Sequence, residues 1–304
     1  MLPSYFATQR YSGRKDNIMK LMIRAHDLGV KGENQVARAV LDNNLDGVQL
    51  VVYKCAPDIK YEPGAISSSR AKEIGEAFKA NGCDIPLIGA YFNPVHPNTE
   101  KIERGYAVFK DYLQLASVIG CDTVGSETGS YNGEPWIYHP MNHSDEALDR
   151  VVDTFSSLAD YAAECGVNIG MEGAFGHVCH TPERLLEAVQ RIGRKNIRII
   201  FDLYNYLDIS NLDSTYDILD RGLSLFGDNI LLFHIKDFVV EDGKLRQCGV
   251  GKGILDYDRI LTKIYNHNPN AILVLEGTTG DDIGYAVSFL RKKINEINQP
   301  ERND

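Results

Sequence analysis

The sequence predicts a (β/α)8 TIM barrel, one α/β domain spanning residues 1–304, with its core at about residues 20–297 and a short extension at each end. Three observations predict it. Eight short apolar runs recur at a mean spacing of about 36 residues, the length of one strand-plus-helix unit. The runs are near-continuously apolar rather than alternating, as expected for a parallel sheet covered on both faces. No composition shift, low-complexity tract or Pro/Gly/Ser-rich linker divides the 304 residues. An open doubly wound sheet is the rival architecture. It would carry a glycine-rich dinucleotide turn after its first strand, and none follows Lys20 to Asp27.

In chain order the runs begin near Lys20 (KLMIRAHD), Asp46 (DGVQLVVY), Asp84 (DIPLIGAYF), Cys121 (CDTVGSET), Val167 (VNIGMEG), Ile197 (IRIIFDLY), Ile230 (ILLFHIKD) and Ala271 (AILVLEG). Three of the intervening helices have recognisable ends. Asn98 or Thr99 starts one that carries Ile102, Val108, Leu113 and Leu115 and stops at Gly120. Ser144 caps a second through Leu148, Val151, Val152, Phe155 and Leu158, ending before Gly166. Thr181-Pro182-Glu183 opens a third with an N-cap, a proline at the first helical position and an early acid. Leu185, Leu186, Val189 and Ile192 form its apolar stripe, and Gly193 follows. The other gaps are compatible with helices, and residues 298–304 look loose.

Charge and composition narrow the function. Thirty-two Lys and Arg against 42 Asp and Glu leave a net charge of −10, which repels phosphate backbones and disfavours nucleic acid as a partner. No apolar stretch approaches the ~18 residues of a spanning helix, so no membrane partner is expected. Residues 1–20 lack a signal-peptide pattern, and the six cysteines are isolated, without CxxC pairs. Reduced, mostly buried thiols and a cytoplasmic location are the expectation.

Active sites of TIM barrels lie at the carboxyl ends of the strands, so a polar residue closing an apolar run is the informative signal. Runs five to eight end in Glu172, Asp202, His234 and Glu276. Taken singly, each reads as readily as a helix cap, an ion-pair partner or a hydrogen-bonded interior histidine. Their coincidence on four successive strands points to a shared centre. Three carboxylates crowded together raise one another's pKa unless a cation compensates them. Oxygen-rich ligation with one imidazole and no thiolate suits a single divalent ion: Mn²⁺, Mg²⁺ or Co²⁺, with Zn²⁺ or Fe²⁺ also compatible.

Glu172, Asp202, the segment His234-Ile235-Lys236-Asp237, Glu276 and the glycine-bounded stretch Gly249 to Asp256 resemble the xylose isomerase-like TIM barrels, the sugar phosphate isomerase/epimerase group. The resemblance covers roughly Lys20 to Ile297. It implies a divalent-metal-dependent isomerase or epimerase on a keto- or aldo-sugar, with Glu172, Asp202, His234 and Glu276 as ligands and Glu172 and Glu276 also exchanging protons with substrate. Proton transfer through a metal-bound enediolate gives epimerisation or isomerisation, according to the carbon that receives the proton back. The alternative within the group is an inosose-type dehydratase on the same metal site. An endonuclease IV-like nuclease and a non-catalytic sugar-binding barrel fit less well. The resemblance also implies a homo-oligomer, a dimer or tetramer.

Neighbouring residues refine this reading. Where many relatives place a histidine after the strand-six aspartate, this chain has Asn205, a sugar-hydroxyl contact but a poor ligand. Strands two and three offer Tyr53 and Tyr91, with His96 farther along, so the histidines of a nuclease cluster are missing. Lys236, Glu127, His177 and Tyr91 are the remaining candidate substrate contacts. Three have a structural alternative: an ion pair for Lys236, capping for Glu127 and packing for Tyr91; His177 is placed by its reach from strand five. His180 reads as structural, Trp136 as a pocket wall and Asp237 as a group orienting His234 or Lys236. The glycines of 249–253 suggest a tight turn more than a phosphate cradle, because only Lys252 accompanies them.

Overall fold

The computed structural model describes residues 18–134 and 137–298; Trp136 and both chain ends lie outside the described residues. Ten strands form among the described residues: β1 (Lys20–Arg24), β2 (Gly47–Leu50), β3 (Asp84–Gly89), β4 (Thr123–Glu127), β5 (Asn168–Glu172), β6 (Ile197–Asp202), β7 (Ile230–Ile235), β8 (Asp237–Glu241), β9 (Lys244–Cys248) and β10 (Ile272–Leu275). All but β8 and β9 close into a parallel barrel in sequence order, with β1 paired to β10 from Lys20↔Ile272 to Ile23↔Leu275. Each barrel strand starts within two residues of its apolar run's beginning.

The predicted helix ends form as their chemistry requires. Asn98, Ser144 and Thr181 each accept a backbone N–H of the first turn, from Glu100, Ala147 and Arg184 respectively. Gly120 and Gly193 end their helices in the left-handed region, where a Cβ would be strained. Among the described residues, no helix is long and apolar enough to cross a membrane.

Strand alternation positions the site. Met22, Leu87, Ile200, Leu232 and Val274 fill the barrel interior, separately from the larger core between barrel and helices. Gly125 and Gly170 leave room for Ile200, because a Cβ would stand 2.8 and 3.0 Å from its Cδ1. One pleat beyond this layer, the same parity turns Arg24, Glu127, Glu172, Asp202, His234 and Glu276 toward the carboxyl-end mouth.

The antiparallel hairpin β8–β9 was not anticipated from the sequence. It follows β7, and its Asp242-Gly243 turn has φ of +50° and +67°, the left-handed pair that a tight hairpin turn demands.

Candidate metal centre

Glu172, Asp202, His234 and Glu276 converge so that one ligand atom from each lies within 4.8 Å of the others. His234 Nδ1 is 3.0 Å from Glu172 Oε1, 3.0 Å from Glu276 Oε2 and 3.6 Å from Asp202 Oδ2. The first three side chains are almost wholly buried, and Glu276 is the one that reaches the mouth. The donor set fits a divalent cation. Asp202 Oδ2 is buried and accepts no hydrogen bond of normal geometry, its nearest cation being Lys236 Nζ at 2.9 Å.

Electrostatics divide the two glutamates. Burial pushes the Glu172 carboxyl up to about 7, only partly opposed by His234. Burial acts on Glu276 in the same direction, but Lys236, His234 and Arg24 outweigh it and hold that carboxyl well below its usual range. Burial would lower His234 and Lys236, yet the surrounding carboxylates raise both. Without a bound ion, His234, Lys236 and Arg24 offset the charge of the acids.

The remaining candidates fall into place around the four. Lys236 Nζ donates to Asn205 Oδ1 at 2.9 Å and pairs with Asp202 and with Glu276 at 3.1 Å. Asn205 Nδ2 donates to Glu172 Oε1 at 2.7 Å, so Asn205 bridges Lys236 to Glu172. Glu127 closes β4 beside the mouth, and burial pushes it up to about 7, with Lys236 opposing. Tyr91 meets the cluster through Gln49, whose amide Nε2 donates to the phenol. His177 is buried in the loop after β5; that loop is tied to the site's flank by Phe175 N–H donating to Asn205 O at 2.6 Å. His180 stacks on His143 with centroids 3.6 Å apart, a packing role as expected. Tyr53 packs on Tyr61, and His96 Nδ1 accepts from Asn98 N–H, so neither extends the centre.

Asp237 differs from its expectation. Its buried carboxylate turns away from His234 and Lys236 and accepts the N–H groups of Gly251 and Gly253 at 3.0 Å and of Leu255 at 3.3 Å. The glycine loop thus folds around an internal carboxylate. A Cβ on Gly253 would stand 2.1 Å from Asp237 Oδ1, which explains that glycine.

Two further residues of the centre do not stand out in the sequence. Gln49, fully buried, places Oε1 2.6 Å from His234 Nε2. Arg24 donates to Glu276 Oε1 at 2.7 Å. The signals were a lone polar residue inside DGVQLVVY and a cation closing the first run, as the acids close later ones.

The model of the xylose isomerase-like TIM barrel family matches residues 37–293, and the chain belongs to that family. A probable L-ribulose-5-phosphate 3-epimerase, UlaE, from Mycoplasma pneumoniae is 23% identical over 185 residues, covering 61% of this chain and 56% of that protein. A D-tagatose 3-epimerase-like protein superposes with a TM-score of 0.71 at 20% identity over 92% of this chain and 99% of the other. The IolI protein with a bound zinc atom gives 0.70 at 15% identity over 94% and 100%. The fold is therefore shared with epimerase-like and IolI-like barrels.

Proposed function

We propose that the protein is a divalent-metal-dependent isomerase or epimerase of a keto- or aldo-sugar, with Glu172, Asp202, His234 and Glu276 as ligands. The observation that carries this reading is the meeting of Glu172 and Glu276 at one imidazole nitrogen, 3.0 Å from each. Two carboxylates so placed suit a pair of proton-transfer groups acting on neighbouring positions of one substrate. The bound ion would supply Lewis-acid polarisation of a substrate carbonyl and its adjacent hydroxyl.

The chain's own residues do the rest. Glu276, kept charged by Arg24 and Lys236, removes the proton next to the carbonyl. Glu172 returns one, to the other face of that carbon or to the next carbon. Lys236 and Asn205 hold substrate oxygens, and Lys236 offsets the negative charge that develops there. Glu127, His177 and Tyr91 line the substrate's approach. The similarity to a probable pentulose-phosphate 3-epimerase and to a tagatose-epimerase-like barrel supports the sugar class.

The test is NMR in D₂O with a panel of keto- and aldo-sugars, free and phosphorylated, and with Mn²⁺, Mg²⁺ or Co²⁺ supplied. Solvent deuterium at one carbon without loss of water is expected. Loss of water would mean a dehydratase, and no exchange across the panel with metal-loaded protein would overturn the proposal.

A further inference from the structure

Gln49 is the polar side chain that β2 turns into the barrel, and both ends of its amide are engaged. Oε1 lies 2.6 Å from His234 Nε2, and Nε2 donates to the Tyr91 hydroxyl at 2.5 Å. An amide oxygen only accepts, so the ring nitrogen it faces carries the proton. The other ring nitrogen, Nδ1, is the one among the carboxylates of Glu172, Asp202 and Glu276. A metal ligand must present a lone pair, and the hydrogen bond made by its far nitrogen determines which tautomer does so.

We propose that Gln49 is the positioning residue of this centre: it fixes His234 as the Nε2–H tautomer and aims the Nδ1 lone pair at the space between the three acids, while Tyr91 anchors Gln49 from behind. This rests on reading the four residues as a metal site. The amide is the suitable acceptor because it is neutral. A carboxylate at 49 would also accept from Nε2, but it would add negative charge where Glu127, Glu172, Asp202 and Glu276 already crowd. The partners are 185 residues apart in sequence, so the contact exists only in the closed barrel.

The experiment measures Zn²⁺ and Mn²⁺ binding to the metal-stripped full chain by calorimetry, and the ¹⁵N signals of His234 in the Zn²⁺-loaded protein. Gln49→Met keeps the bulk and removes the acceptor; it is expected to weaken binding about 10- to 100-fold. Gln49→Glu restores an acceptor and is expected to recover most of that loss. The wild-type ring should show a protonated, slowly exchanging Nε2, and Gln49→Met should speed that exchange. If Gln49→Met does not fold, Tyr91→Phe supplies the same comparison, with a smaller weakening and faster Nε2–H exchange expected. Unchanged affinity and exchange in the folded variants, or an unprotonated Nε2 in the wild type, overturns the proposal. So does a chain that takes up neither ion. Neither readout uses turnover, so a metal-binding protein inactive on every sugar tested would defeat the functional reading and leave this one standing.

Discussion

Arg24 and Glu276 meet at 2.7 Å across the strand pair that closes the barrel, from the end of β1 to the residue after β10. The same guanidinium grips Asp27 at 2.9 and 3.0 Å, and Asp27 accepts the N–H of Gly277 at 2.7 Å. Arg24 thus clamps the seam of the barrel and one acid of the site together. Arg24→Met keeps the aliphatic stem but leaves the buried Asp27 without its ion-pair partner. A stability loss of about 1–3 kcal/mol is expected in urea denaturation, with slower turnover by the proposed mechanism. An unchanged midpoint and rate would remove Arg24 from both roles.

Glu172→Gln and Glu276→Gln retain size and hydrogen-bonding capacity but cannot exchange a proton. Each is expected to lower sugar-dependent solvent exchange by about 10²–10⁴-fold while circular dichroism and melting stay near wild type. Full activity in either variant withdraws that residue's acid–base role.

Removal of the cation should leave the three acids balanced by His234, Lys236 and Arg24 alone. Chelation is therefore expected to abolish activity, and added Mn²⁺, Mg²⁺ or Co²⁺ to restore it. A tightly bound ion at 100 times its Kd should stabilise the fold by about 2.7 kcal/mol, visible as a rise in melting temperature. Identical melting curves with and without every ion tested would argue that the four residues form an ion-pair cluster instead.

The Glu33–Arg70 pair gives a pH prediction away from the site. Two guanidinium nitrogens of Arg70 reach both Glu33 oxygens at 2.8 and 3.0 Å, and this lowers the Glu33 carboxyl below its ordinary 4.5. A depressed folded-state pKa adds stability above the unfolded value and loses it as pH falls through the folded one. Wild type should lose stability more steeply below about pH 4.5 than Arg70→Ala, in urea midpoints taken between pH 7 and 3. Parallel curves would show that the pair is thermodynamically silent.

Asp237→Ala strips four backbone N–H groups, those of Phe238, Gly251, Gly253 and Leu255, of their acceptor, and charge-assisted bonds of this kind are worth about 1.5–3 kcal/mol each. Faster hydrogen exchange at Gly251, Gly253 and Leu255 is expected. Gly253→Ala should disturb the same segment by collision with the carboxylate. Wild-type protection in both variants would mean that the segment is held by other contacts.

Much of this molecule was legible in its sequence, because its strands are buried on both faces and stop at polar residues. An acid or imidazole that closes an apolar run is conspicuous, so Glu172, Asp202, His234 and Glu276 could be read as a group before their convergence was seen. Gln49 was hidden by its neighbours: inside Val48-Gln49-Leu50 it is one polar residue in an apolar strand, and only its partner reveals its role. Arg24 lies 252 residues from Glu276, a pairing that local pattern does not encode. Asp237 reads as a partner of His234 or Lys236 because the four residues of His234-Ile235-Lys236-Asp237 are adjacent in the chain, but their side chains are not. Alternation sends residues 234 and 236 into the mouth and 237 the other way. The hairpin did carry a local signal, Asp242-Gly243, between short runs too polar to stand out.

The turn at 249–255 brings its own anion with it. Its inward-pointing N–H groups are already claimed by a carboxylate of the same chain, so an incoming phosphate would have to evict a covalently tethered competitor there. On the proposed function, a sugar's charged tail would have to find its counter-charge at another part of the rim, and preference among phosphorylated and free sugars would be decided by those other contacts.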